Sequence, residues 1–383
     1  MKAHPTAFAG LIAVLVTIVA TVVGADPSVA NQSRGEYESN RESFRLVQVV
    51  EGLNEPWSFA FLPDGGTLIT ERGGSLWLLE GSDVTEVSGV PDVQPVGQGG
   101  LLDVALDPDF DSNRLVYLSY ADRFRHGLGT AVTRGRLESG RLRDVEVIFR
   151  SNRSSGGGRH FGSRLLFGED GTLYVTLGDR GEADRAQDAS DHAGSVVRIR
   201  PDGSVPADNP FVGSREGADE VYSYGHRNAQ GIAVHPDTGE VWLHEHGPQG
   251  GDEINIVRRG RNYGWPVITY GVNYGSGTQI GEGTSKPGME QPVTYWTPSI
   301  APSGMAFYDG DRFPEWDGDL FVGALAGQHL RRVELDDGEV VEEEVLLQGI
   351  VGRVRDVRLG PDRNLYLIND ARSAGLYRIE PLE

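Results

Sequence analysis

WSFAFLPDGGTLITER, residues 57–72, sets two runs of alternating apolar side chains on either side of a Pro-Asp-Gly-Gly turn. Alternation with a period of two marks a strand with one buried face, and a turn of this composition between two such runs makes a hairpin. The same unit returns five times: LLDVALDPDFDSNRLVYLSY (101–120), SRLLFGEDGTLYVTLGD (163–179), QGIAVHPDTGEVWLHEH (230–246), SGMAFYDGDRFPEWDGDLFVGA (303–324) and VRDVRLGPDRNLYLIND (354–370). A third strand often follows, as in SLWLLEG (75–81), SVVRIRPDG (195–203), LRRVELDDG (330–338) and GLYRIEP (375–381). The turns recur about every 45 to 75 residues, at or a little above the period of propeller blades. Six similar units form one closed ring, which leaves no long strand edge exposed. The sequence therefore predicts an all-β fold, a six-bladed β-propeller with four-stranded antiparallel blades over residues 43–383. A β-sandwich does not account for six similar hairpins, and no segment shows a helical period.

Composition narrows the chemistry. The 383 residues contain no cysteine, which excludes disulfides, zinc-thiolate sites, iron–sulfur clusters and thiol nucleophiles. The formal charge of −21 argues against nucleic acid as a partner, because binding phosphates requires a basic face. Lys2 and Lys286 are the only lysines among 35 basic residues. An acidic chain so poor in lysine fits a halophilic protein, in which salt screens self-repulsion. A genome rich in G and C that codes arginine in place of lysine would give the same bias.

Residues 1–25 read as a signal peptide or membrane anchor. Lys2 and His4 precede the uncharged run AFAGLIAVLVTIVATVVG (7–24), and small residues at Val23-Gly24-Ala25 offer a cleavage site. Residues 26–42 read as a polar linker, and the folded part is expected outside the cytoplasm: secreted, periplasmic or anchored at the outer face of the membrane.

Insertions between blades are where repeat folds carry function. Four interrupt the pattern: 96–100, 154–162, Tyr224–Asn228 with 246–253, and the long Gly-, Tyr- and Pro-rich loop 262–299. The phrases EPWSFAFLPDG, GQGGLLDVALDPDF, RHFGSRL, LYVTLGDRG, YGHRNAQGIAVHP, EHGPQGGDEIN, NYGWP and GRVRDVRLGPD occur in order from about residue 45 to 380. Together they resemble the soluble pyrroloquinoline-quinone (PQQ) dependent glucose and aldose sugar dehydrogenases, themselves six-bladed propellers.

That resemblance implies a site. His160 matches the family's catalytic base. Oxidising an alcohol needs such a group, since a near-neutral imidazole can take the hydroxyl proton while hydride leaves carbon. Asp179 resembles the carboxylate that orients this histidine, although Gly-Asp-Arg-Gly would also make a good turn. Gln98 resembles a glutamine near cofactor and sugar. Arg227 and Asn228 are expected against the quinone, where a guanidinium can bond its oxygens and stabilise charge arriving on the ring. Arg353 and Arg355, flanking Val354, fall on one side of a strand. With Arg227 they would counter the three carboxylates of PQQ. Tyr274 resembles an aromatic contact to the cofactor. Gly247 and Pro248 match carbonyls that hold Ca²⁺ against PQQ, and Glu253 and Tyr263 match a second calcium position; hard oxygen donors in turns suit that ion. His244-Glu245-His246 lacks the spacing and third ligand of a zinc site.

Two positions depart from the family. Ala324-Leu325-Ala326 stands where members carry a cofactor-binding Ala-Leu-Lys phrase, so Ala326 replaces the lysine. Arg159 precedes the base where glucose-specific members have an acid, which favours a broader aldose or polyol substrate. The resemblance thus implies an exported PQQ- and Ca²⁺-dependent dehydrogenase that oxidises the C1 hydroxyl of an aldose to a lactone. It would act as a monomer or homodimer and pass electrons to an external quinone, cytochrome or blue-copper protein. Two other readings keep the propeller: a calcium-dependent lactonase or other hydrolase, and a non-catalytic extracellular binding module.

Overall fold

The computed structural model describes Met1 and residues 26–382, so the expected signal or anchor lies outside the described residues. Six antiparallel sheets form the blades of a β-propeller, and each of the six sequence hairpins supplies the two innermost strands of one blade. The first blade is Pro56–Phe61, Thr67–Glu71, Leu76–Glu80 and Asp83–Glu86. Leu101–Leu106, Leu115–Phe124, Gly127–Glu138 and Arg141–Arg150 form the second. The third consists of Leu165–Phe167, Leu173–Thr176, Ser195–Ile199 and Val221–Tyr224. Ala229–Val234, Val241–Glu245, Asp252–Ile256 and Thr294–Trp296 build the fourth, and Pro302–Phe307, Leu320–Ala324, His329–Asp336 and Glu339–Leu346 the fifth. Every blade meanders outward from the channel, as short turns between antiparallel neighbours require.

The sixth blade closes the ring. Its inner strands Val354–Leu359, Leu365–Asn369 and Ala374–Pro381 come from the C-terminal end, and its fourth, Ser43–Leu53, comes from the N-terminal side. Leu46 faces Ile379 and Phe44 faces Pro381 across that seam. One expectation is corrected here. Residues 26–42, read as a polar linker, contribute a fifth strand, Ser28–Glu38, paired to Ser43–Leu53. Its sequence carries no alternation because most of its side chains are exposed. What recruits it is the free backbone edge of Ser43–Leu53 and a ring contact of Tyr37 on Phe44, centroids 5.7 Å apart.

The core lies between blades. Leu68 and Leu76 of the first blade meet Val104 and Leu118 of the second. Trp242 of the fourth packs with Leu320 and Val322 of the fifth, and Phe321 of the fifth with Val357 and Leu367 of the sixth. Truncating any one of these leucines to alanine removes about 2–5 kcal/mol. Val354 and Ala324 also belong to this core, which decides their role below.

Candidate active site

The meander explains why residues so far apart in sequence converge. In each blade the inner strand starts, and the second strand ends, on the same face of the ring. Trp57, Gln98, Gly162, Asn228, Ala301 and Arg353 sit at or just before inner strands, and Arg72, His246, Leu325 and Asp370 follow second strands. Together they line a cavity of about 280 Å³ at the mouth of the channel, which Phe161, Gln230 and Arg355 help to enclose.

His160 stands at this mouth. Its backbone is left-handed, φ +53°, a conformation that costs a non-glycine residue about 1–3 kcal/mol and persists where the surroundings enforce it. Two contacts do so. The His160 amide donates to Gln98 Oε1 at 2.6 Å, and Nδ1 lies 2.6 Å from Asp179 Oδ1. Glycine makes both possible. A Cβ on Gly97 would sit 2.1 Å from the Gly158 carbonyl, and one on Gly178 2.2 Å from the His160 carbonyl. Asp179 is buried, accepts from the Gly181 amide at 2.6 Å and receives the Trp265 indole N–H on Oδ2 at 2.8 Å. Burial pulls the His160 imidazole below its ordinary pKa; Asp179 opposes this, while Arg227 and Arg159 reinforce it. Burial alone would raise Asp179, but the hydrogen bond and charge of His160 hold its carboxyl below the usual range. The result is an imidazole neutral at pH 7, with Nδ1–H held by a carboxylate and Nε2 left as a base.

The cavity wall itself carries cations. Arg353 and Arg355 both bond Asp370 Oδ2, at 3.0 Å each, and Val354 between them turns into the core as strand alternation requires. Arg72 pairs with Glu55 at 2.9 Å and also reaches the cavity. The Nε–H groups of Arg355 and Arg72 are buried without a partner, so the wall has donors to spare. Burial, ahead of neighbouring charges, lowers the pKa of Arg355. Leu325 lines the cavity, Ala324 lies in the core, and Ala326 is exposed on the adjoining loop.

Arg227 is fixed from three sides. Its amide donates to Glu245 Oε2, Nη1 donates to the Gly247 carbonyl at 2.8 Å and the His246 carbonyl at 3.1 Å, and the guanidinium lies 5.3 Å from the Trp265 ring. Asn228 lines the cavity and accepts from the Gly162 amide at 3.2 Å. Arg227, Gly247, Glu253 and Tyr263 surround a second, much smaller pocket together with Glu245. Burial, with Glu245 adding repulsion, pushes Glu253 up to about 8. The Tyr263 hydroxyl donates to the Ile256 carbonyl at 2.5 Å, so it is held in the core. Pro248 packs against Gly271. Tyr274 is 69% exposed and does not line the cavity. His244 is buried away from the mouth, where burial lowers its pKa to about 3. Among the described residues no group of three or more His, Cys, Asp or Glu side chains could hold a metal ion.

Sequence reasoning missed Asp370, Trp265, Trp57 and Arg72. Asp370 ends the last hairpin and Arg72 the first, the positions equivalent to His246 and Leu325, so the repeat itself carried that signal. For Trp265 the only hint was its place in NYGWP.

A carboxylate-held histidine at the edge of an arginine-lined cavity, at the mouth of a propeller channel, makes a candidate active site. The sequence profile of the Glucose / Sorbosone dehydrogenase family matches residues 53–378, and the chain belongs to that family. It is 45% identical to aldose sugar dehydrogenase YliI of Escherichia coli, over 88% of this chain and 92% of that one. The crystal structure of the soluble aldose sugar dehydrogenase of Escherichia coli in its apo form superposes with a TM-score of 0.86 at 43% identity, covering 88% of this chain and 100% of the other. The PQQ-bound aldose sugar dehydrogenase of Streptomyces coelicolor gives 0.72 at 30% identity, over 86% and 96% of the two chains. The protein is an oxidoreductase of the glucose and aldose dehydrogenase type.

Proposed function

We propose that this chain is an exported dehydrogenase that works with PQQ and Ca²⁺, oxidises the C1 hydroxyl of an aldose to the lactone and delivers the electrons to an external acceptor. The observation that carries the reading is a carboxylate-held imidazole, His160, set against Gln98 and next to Phe161 at the edge of a cavity lined by Arg72, Arg353 and Arg355. The donor set fits the cofactor. PQQ has three carboxylates, and Arg72, Arg353 and Arg355 converge on one cavity, with unpartnered Nε–H groups on Arg72 and Arg355 and with Asp370 and Glu55 as their acidic partners. Calcium fits the Gly247–Pro248 turn and the Glu253 pocket, where a carboxyl pushed to about 8 would become a carboxylate beside a cation. PQQ, when bound with Ca²⁺, supplies the hydride-accepting quinone and its polarisation.

The protein's own part follows from the geometry. Nε2 of His160 takes the C1 hydroxyl proton, and Asp179 stabilises the imidazolium that forms and fixes the ring through Nδ1. Trp265 keeps the second oxygen of Asp179 occupied, so the carboxylate stays aimed at the histidine. Arg227 and Asn228 present donors beside the base, where they stabilise negative charge arriving on the quinone. Ala326 leaves the wall without the family's lysine, and Arg72 of the first blade is a further cation lining the same cavity. Export rests on the sequence of residues 1–25; among the described residues no helix is long and apolar enough to cross a membrane.

Reconstitution tests the reading. Protein freed of cofactor, given PQQ and Ca²⁺ at low and high salt, should reduce a dye only when an aldose is present. EDTA should abolish the reaction, and H160A should slow it by about 10²–10⁴-fold. Absence of PQQ binding at every salt concentration would refute it.

A further inference from the structure

Below the cavity, one side chain of the third blade touches four other blades. Arg164 precedes the inner strand of the third blade and is 2% exposed. Its Nε donates to the Gln230 carbonyl of the fourth blade at 2.7 Å, and Nη2 to the Arg355 carbonyl of the sixth at 3.1 Å. Nη1 lies 2.9 Å from Asp356 Oδ1 and 3.7 Å from Asp103 Oδ1 of the second. The guanidinium covers the Trp57 ring of the first blade, 4.1 Å from its centroid. The fifth blade joins through Ser303, whose hydroxyl donates to the same Arg355 carbonyl at 2.7 Å.

Arg358 completes the cluster, reaching Asp103 at 2.6 Å and Asp356 at 3.0 Å. Two arginines and two aspartates thus cancel one another across the middle of the channel. Below them lies a cavity of about 320 Å³ whose charged lining is largely this paired set. Above them, two of the groups that Arg164 touches, Trp57 and Arg355, are walls of the cofactor cavity. Arg355 is therefore held from beneath by its carbonyl while its guanidinium faces the cavity.

We infer that Arg164 is a positioning residue: it sets the Trp57 ring and the Arg355 backbone so that the anion-binding wall is formed before the cofactor arrives. The inference rests on the PQQ reading above. Only a planar fork meets these demands together, since Nε and Nη2 serve the fourth and sixth blades, Nη1 lies between the Asp356 and Asp103 carboxylates, and the flat face covers an indole. Lysine keeps the charge but can satisfy one direction at a time. A wall no longer held in place must be ordered on binding, and affinity falls by that cost.

The experiment titrates apo-protein with PQQ in the presence of Ca²⁺, follows tryptophan fluorescence, and works well below the melting temperature. R164K should weaken PQQ binding by about tenfold or more. At saturating PQQ the pH profile of turnover should keep its wild-type shape, because the His160–Asp179 pair is untouched. R332K is the control: Arg332 is equally buried, pairs with Asp319, Glu334 and Glu344 in the fifth blade, and does not line the cavity. It should lose thermal stability and keep its PQQ affinity. Equal losses of affinity in R164K and R332K, or an unchanged Kd in R164K, would overturn the inference. If R164K does not fold, S303A decides, since it removes the second donor to the Arg355 carbonyl and the 3.4 Å contact of Arg355 Nη1 on the same hydroxyl, both part of what holds Arg355 in place: a two- to fivefold weakening supports the inference and no change refutes it. Wild-type protein that binds no PQQ would instead bring down the functional reading on which this one stands.

Discussion

His160 carries two constraints that pull in opposite directions. As a base it must be neutral, and burial with Arg227 and Arg159 nearby favours that state. As the holder of an abstracted proton it must tolerate charge, and Asp179 supplies the compensation. The sign of the pH dependence follows. Activity needs the unprotonated ring, so it is present above the pKa of His160 and lost as pH falls through it. D179N removes the one influence that raises this pKa by direct contact, so the acidic limb should move to lower pH. The rate on the plateau should fall by about 10²–10⁴-fold, because imidazolium is no longer stabilised and the ring no longer oriented. A pH–rate profile in which D179N keeps the wild-type acidic limb would exclude the pair as the catalytic unit. The pairing of these two residues was expected from RHFGSRL and LGDRG, and they lie 2.6 Å apart. The left-handed backbone at His160 was not, because it is imposed by Gln98 and Asp179 from other loops and leaves no local trace. Tyr274, whose motif position implied a cofactor contact, presents its ring to solvent at 69% exposure.

At the scale of elements, hairpins were legible wherever one strand face is buried, since burial writes alternation into the sequence. All six inner pairs satisfy that condition. Ser28–Glu38 does not, and composition alone made it look like a linker. It is a strand because a neighbour has backbone groups to pair, a fact of tertiary structure with no local signature. Position in the ring sets its importance. It lies on the outer edge of the sixth blade, with Asn40 and Arg41 just beyond it bonded to Glu342, Glu344 and Glu334 of the fifth. Deleting residues 26–42 should lower the melting temperature by about 5 °C and expose Ser43–Leu53 as an aggregation-prone edge. PQQ affinity should be unaffected, because no residue of this segment reaches the cavity. Calorimetry and PQQ titration of the truncated chain separate the two effects, and a parallel loss of cofactor binding would mean that the closure of the ring depends on this strand.

For the whole molecule the governing quantity is charge. A net −21 imposes repulsion over the entire surface, whereas the cofactor wall concentrates arginines in one cavity. Salt acts on both kinds of interaction with opposite sign: it screens the repulsion among carboxylates, and it weakens the ion pairs that oppose that repulsion. Exposed pairs such as Arg136–Glu138 and Arg41–Glu342 contribute at most about 1 kcal/mol each and are the first to be screened. Those that matter structurally are the buried ones, Arg164–Asp356 and Arg332–Asp319, which bulk ions reach poorly. Screening should therefore remove more repulsion than attraction. Raising NaCl from about 0.1 M to about 1 M, which shortens the Debye length from about 10 Å to about 3 Å, should raise the melting temperature. The same change should weaken PQQ binding as well, since of the three wall arginines only Arg355 is buried, while Arg72, Arg353 and their partners Glu55 and Asp370 are open to bulk ions. A melting temperature that falls with salt would show that the surface pairs outweigh the repulsion. The scarcity of lysine would then reflect codon usage and not an adaptation to brine.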